Sequence, residues 1–360
     1  MKKLFLSLVV VMMSTMSFAQ GSLLATLSHE GNISAYYGID ALKQAVSAAE
    51  AGDVITLSSG QFNAVNITKP VTLRGAGMSM STDSINPHGL TQIQNAFSIN
   101  IADSLSGRLI LEGLYIKESI LYSGNIKNAQ FMKCRFYRFV RNSANSQLSN
   151  ATFVNCRIYD GFNMGQNSSA YFVNSAVGSP MNEESSSNAE FDNCFVKFDY
   201  NSSYGCFLSS FSNGEFKNCI IQHAYTSGYS ASYYTLPASC TAYNCVGLGY
   251  SSYNMFANMT SNNKTNRFYS NSSSALSSLF KNYTAAGYAT NVSDTYDFTL
   301  TDNAAKTYLR LDGTQVGIYG GNLPYNETPA IPQITKCNVA AKSTADGKLS
   351  VDIEVKAAEY

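Results

Sequence analysis

Tryptophan is absent from this 360-residue chain, so any stacking against a flat ligand must come from its 24 Tyr and 20 Phe. Charge is scarce as well. Asp, Glu, Lys and Arg make up 13% of residues, about half the usual globular share. The 24 basic and 24 acidic residues cancel, and no basic block stands out. This excludes a nucleic-acid partner held by phosphate neutralisation. The three histidines, His29, His88 and His223, are scattered and give no local triad or metal motif. No metal and no cofactor are expected. Beyond the first segment no apolar run reaches the ~18 residues of a membrane span, so no transmembrane segment is expected.

Polarity comes instead from neutral side chains, 48 Ser and 34 Asn. Hydrophobic residues still make up 45% of the chain, and its aromatic content excludes a disordered polymer. The surface is therefore built of amides and hydroxyls. Lys2 and Lys3 precede the apolar run Leu4 to Met13, and Ser17-Phe18-Ala19 supplies small residues at a cleavage position. Residues 1–19 read as a signal peptide, which implies export to the periplasm, the cell surface or the medium.

One pattern recurs: aromatic, any, Asn, Cys, any, apolar. It appears at Phe131 to Phe136, Phe153 to Ile158, Phe172 to Val177, Phe191 to Val196 and Phe216 to Ile221, with a decayed copy at Ala242 to Gly247. A weaker copy lies upstream, at Leu111 to Ile116. The Cys and the apolar residue two places on alternate as in a strand, both facing inward. The aromatic residue, three places before the Cys, breaks that alternation by one. One residue must therefore turn a corner between two short strands. Asn occupies that corner in most copies (Asn155, Asn174, Asn193, Asn218) and tolerates a left-handed backbone well. Stacked coils would set these amides above one another as a hydrogen-bonded ladder. A strand–corner–strand unit of about 20 residues, repeated without helix, is one coil of a parallel β-solenoid.

The run Ala41 to Asp53, followed by Val54 to Leu57, Gly60 to Phe62 and Ile67 to Gly77, resembles the start of a right-handed parallel β-helix of the pectin-lyase-like superfamily. Asp312 to Gly321 is similar to the closing motif of secreted bacterial β-helix proteins. The resemblance covers roughly residues 38 to 321 and implies an all-β fold: a single right-handed parallel β-helix with an N-terminal cap helix. That helix is expected from about Asp40 to Glu50, with Gly52 as its stop. The β-helix is assigned to residues 20–322, with coils from 54 to about 320. Residues 323–360 form a linker with Pro324, Pro329 and Pro332 and a tail whose alternating Leu349 to Val355, after an Asp-Gly turn, predicts a β-hairpin.

Cys134, Cys156, Cys194 and Cys219 lack paired metal-site spacing. Parallel in-register thiols also point the same way, so an inward stack of free Cys is favoured over disulfides. Cys206 and Cys240 lie outside the repeat and are the better disulfide candidates. Arg135 and Arg157 share the outward position after the Cys. With Arg138 and Arg141 they form a candidate ladder for an acidic glycan, since guanidinium matches carboxylate bidentately. The alternative is ordinary solvated surface. Tyr225, Tyr229, Tyr233 and Tyr234, in a Ser/Gly-rich stretch, form a second candidate binding surface; the alternative is a loop packing its own rings.

Asp192 faces outward with Lys217 one coil on, which reads as a surface ion pair. Glu190 with Asp192 is the remaining route to a carboxylate pair for hydrolysis. Asp83-Ser84-Ile85 and Asp103-Ser104-Leu105 resemble an O-glycosylation sequence of some exported bacterial proteins. The expected function is an exported, non-catalytic β-helix presenting a polar face, with polysaccharide as its partner. A polysaccharide lyase or glycoside hydrolase, which the resemblance implies as an activity, is the alternative. A structural or adhesive surface protein is the third reading.

Overall fold

A computed structural model describes residues 23–82, 88–181, 186–198, 208, 211–223, 231–249, 253–259, 265–270, 272–282, 297–329, 333–339, 346–348 and 351–356. The signal-peptide reading, Asp83-Ser84-Ile85, Cys206, Tyr225 and Tyr229 lie outside these residues. The protein is a right-handed parallel β-helix of about eight turns. Among the described residues, no helix is long and apolar enough to cross a membrane.

Two sheets run the length of the solenoid. Among the described residues sheet A has 11 strands, from Asn32–Tyr37 at one end to Thr241–Tyr243 at the other, and sheet B has 13, from Gly60–Asn63 to Arg267–Ser270. The repeat explains both. In sheet A its aromatic residues fall in register, Phe131 on Phe153, Phe172, Phe191 and Phe216. Their rings stack inside the coil with centroids 4.6, 4.7, 4.7 and 5.0 Å apart, the strand spacing itself. The corner residues Lys133, Asn155, Asn174, Asn193, Asn218 and Asn244 all have left-handed backbone, with φ between 45° and 55°. Two residues past the corner, Arg135, Arg157, Ala176, Phe195, Ile220 and Val246, with Arg267 beyond them, form a single outward row in sheet B.

The thiols stack inward as expected. Cys134, Cys156, Cys194, Cys219 and Cys245 are buried and free. Each Sγ donates to a backbone carbonyl of an earlier coil, at 3.3 Å for Cys134, Cys156 and Cys219 and 3.4 Å for Cys194 and Cys245. Ser175 makes the same bond to Phe153 at 3.3 Å, which is why Ser can replace Cys at that rung. Burial pushes the Cys156 thiol up to about 12 and those of Cys134, Cys219 and Cys245 well above their ordinary value. Cys240, the disulfide candidate, is a buried free thiol that donates to the Phe211 carbonyl at 3.2 Å.

At the N-terminal end the helix Ala41–Ala48 seats Ala41, Leu42 and Ala45 on the open coil. It ends at Ala48, slightly short of the expected Glu50. The hairpin Leu24–His29/Asn32–Tyr37 was not expected. It adds two antiparallel strands to sheet A, through a turn in which Glu30 and Gly31 both have positive φ (46° and 83°), the conformation a two-residue hairpin requires.

The far end corrects the expectation that coils continue to residue 320. The last described coil strand is Arg267–Ser270; helices Ser273–Leu279 and Asp302–Thr307 follow. The chain then returns outside the solenoid. Leu309 lies at Asn244, Gly317 at Asn218, Ile318 and Gly320 at Asn174, Leu323 at Asn155, and Thr328 at Lys133. This strap crosses coil after coil towards the N-terminal end. Phe298, Val316, Ile318 and Tyr325 bury the apolar part of the outward row, Ala176, Phe195, Ile220 and Val246, in a second core. The tail forms the expected antiparallel hairpin, Gln333–Val339 with Val351–Lys356.

Candidate functional site

The strap decides what each expected site residue can reach. Arg135 and Arg157 are in register, as expected, but they do not stand in solvent as an anion ladder. Arg157 is only 6% exposed. Its guanidinium lies 5.6 Å from the Phe298 ring and 5.5 Å from the Tyr325 ring, with Glu327 Oε1 at 3.6 Å from Nη2. The strap thus brings its own carboxylate to the cation. Burial alone would raise the Glu327 carboxyl; the Arg157 charge, with hydrogen bonds from Ser79 and Tyr325, more than offsets this and holds it below its ordinary value. Arg135 stacks on Tyr115 of the preceding coil at 3.9 Å. Arg138 donates from Nε to the buried Asp160 carboxylate at 2.9 Å, and Arg141 is half-buried at the strand end.

The tyrosine surface divides. Tyr234 is 1% exposed, stacked on Tyr253 at 5.3 Å and edge-on to His223 at 5.4 Å. It packs against the solenoid wall, away from solvent. Burial lowers His223 to about 4, leaving the imidazole neutral at pH 7. Tyr233 is exposed.

The corner amides make little of the expected ladder. Asn244 donates to Asn218 Oδ1 at 2.9 Å, but Asn174 Nδ2 donates to the strap carbonyls of Ile318 and Gly320 at 2.8 and 2.7 Å. Asn155 donates to Leu323 O at 3.3 Å and accepts from Asn326 N–H at 2.6 Å. A buried backbone segment needs partners for its polar groups, and the corner line provides them. Asp192 is in register with Lys217, yet the expected ion pair forms elsewhere. Lys217 Nζ bonds Glu215 at 2.9 Å, while Asp192 accepts from Asn218 at 3.1 Å.

Between the strap and the outer face of sheet A lies a groove of about 580 Å³. Gln130, Met132 and Val154 come from the sheet, Lys133 and Asn155 from the corner, and Asn322, Leu323, Pro324, Tyr325 and Asn326 from the strap. The lining is mostly apolar, with amides among it. Lys133 Nζ donates to Thr328 O at 2.7 Å; burial lowers its pKa, opposed by Glu112. Two elements distant in sequence build this groove, and sequence reasoning missed it. Met132 and Val154, apolar at outward positions, were its readable half. The strap half carries no local signal.

No protein-family model, no curated protein and no solved structure matches this chain.

Proposed function

We propose that this chain is an exported, non-catalytic β-helix that binds glycan in the groove between the strap and sheet A. Export rests on residues 1–19, and kinship with the pectin-lyase-like superfamily rests on the opening and closing segments of the solenoid. The observation that supports binding is the groove's chemistry. Apolar side chains from Met132, Val154 and Leu323 lie beside amides from Gln130 and Asn322, matching a ligand with C–H faces and hydroxyl edges. The mature chain, passed over a panel of immobilised polysaccharides, should be retained by at least one without releasing sugar. Retention by none retires the reading.

One feature favours the enzymatic alternative. Glu190 and Glu215 are in register on adjacent strands of sheet A, hence ~4.8 Å apart along the backbone. Retaining glycosidases hold their carboxyls ~5–5.5 Å apart. Asn188 donates to Glu190 at 3.1 Å and Lys217 to Glu215 at 2.9 Å. Sugar release by the wild type, abolished in Glu190→Gln, would establish catalysis here.

A further inference from the structure

We infer that the groove selects a glycan carrying acetamido groups, an N-acetylhexosamine polymer, over plain hexose or uronate chains. This rests on the glycan-binding reading of the same groove. Three kinds of sugar present different chemistry to it. A uronate brings a carboxylate, whose desolvation needs compensating charge. Arg157 is already buried against Glu327, and Arg138 is bonded to Asp160. Lys133, which lines the groove, gives one of its three N–H donors to Thr328 O and is half-buried. A plain hexose is usually held by an aromatic platform, and the one ring among the described lining residues, Tyr325, is 7% exposed with its hydroxyl bonded to Glu327 at 2.8 Å. An acetamido group brings a methyl and a planar amide together. The methyl suits the space between Met132 and Val154 on one wall and Leu323 and Pro324 on the other. Its N–H and C=O suit the amides of Gln130, half-buried, and Asn322, exposed.

The test is titration calorimetry of the mature chain with chitohexaose, cellohexaose and hexagalacturonate at low salt. Chitohexaose should bind at least tenfold more tightly than either of the others, because one methyl in an apolar site is worth about 10–200-fold. Val154→Asp, which places a carboxylate on the wall, should abolish that preference with an unchanged melting temperature. Should that variant unfold, Leu323→Ser tests the opposite wall and should weaken chitohexaose at least fivefold. Equal affinity for chitohexaose and cellohexaose overturns the inference but leaves glycan binding intact. So does tighter binding of hexagalacturonate. Failure of all three sugars to bind, while a polysaccharide from the panel is retained, overturns the acetamido assignment; failure of the panel too removes the binding reading itself.

Discussion

Two lines of asparagine run along this solenoid, and they share a backbone but not a duty. Asn155, Asn174, Asn193 and Asn218 turn the corner between sheets A and B; Asn128, Asn150 and Asn167 turn the corner before sheet A. All seven have φ between 45° and 57°. In the first line Asn155, Asn174 and Asn193 are buried, and Asn155 and Asn174 hold the strap. In the second the residues are exposed, and side chain meets side chain: Asn150 donates to Asn128 Oδ1 at 3.4 Å and accepts from Ser169 Oγ at 3.3 Å. A left-handed position selects the residue type in both lines. Whether the amide then has structural work beyond the corner depends on what lies over it.

The comparison breaks if Asn174 and Asn150 respond alike to substitution. Asn174→Val should cost about 2–4 kcal/mol: a β-branched residue is strained at this φ, and under cover the Gly320 carbonyl loses its Asn174 donor while that of Ile318 keeps only the Tyr325 N–H. Asn150→Val should cost about 1–2 kcal/mol, mostly from the backbone, since water replaces its exposed partners. Glycine variants separate the contributions. Asn150→Gly should be nearly neutral, whereas Asn174→Gly should keep most of the clamp loss. Chemical denaturation of the four variants measures this, and equal costs at the two positions would mean that the strap bonds add nothing.

The solenoid was legible because its determinants are local. The three-residue interval from Phe153 to Cys156 turns the corner, and the two-residue interval from Cys156 to Ile158 makes the next strand. Together they set the register that the structure shows. The strap was not legible, because its bonds join residues 65 to 195 positions apart, from Asn244 with Leu309 to Lys133 with Thr328. One sign of it was present. The row that begins Arg135, Arg157 continues as Ala176, Phe195, Ile220 and Val246, and apolar side chains at outward positions imply a cover. Following that row past its arginines would have placed Arg157 under the cover as well. The groove inherits the same difficulty, since half of its lining arrives with the strap.

A smaller effect sharpens the contrast between strap and coil. Glu327 has its carboxyl held below the ordinary value in the folded state. Its contribution is therefore present above the unfolded value, ordinarily near 4.3, and is lost as pH falls through the folded value. Acidification should loosen the strap before the coils, whose phenylalanine stack does not titrate. Hydrogen exchange at pH 7 and pH 3 should show protection falling at Val316 to Tyr325 while Phe153 and Phe172 stay protected. Glu327→Gln should weaken strap protection at pH 7 and remove most of its pH dependence. Simultaneous loss along strap and coils would show that the Arg157–Glu327 contact does not govern the strap separately.

The smallest effect lies at the opposite end, where the cap is held by a pair that water reaches. His29 Nδ1 lies 2.9 Å from Asp53 Oδ1, joining the N-terminal hairpin to the turn after the helix Ala41–Ala48. The hydrogen bond to Asp53 raises the His29 pKa. Its contribution is thus complete below the ordinary histidine value, near 6.5, and is lost as pH rises through the folded value. Asp53 behaves in the opposite sense. Burial alone would raise its carboxyl, but the Glu50 N–H, donating at 2.7 Å, and His29 hold it low. Its contribution is present above the ordinary aspartate value and fades only in acid. The pair should therefore hold the hairpin best between the two, in mildly acidic solution. Because side chain 29 is 39% exposed, solvent screens the pair and the effect should be slight. Amide exchange in Leu24–His29 should quicken modestly between pH 6 and pH 8, after correction for the intrinsic rate, and His29→Gln should flatten that rise. A His29 that titrates at or below the ordinary histidine value would sever the cap from pH, leaving the strap as the acid-sensitive cover.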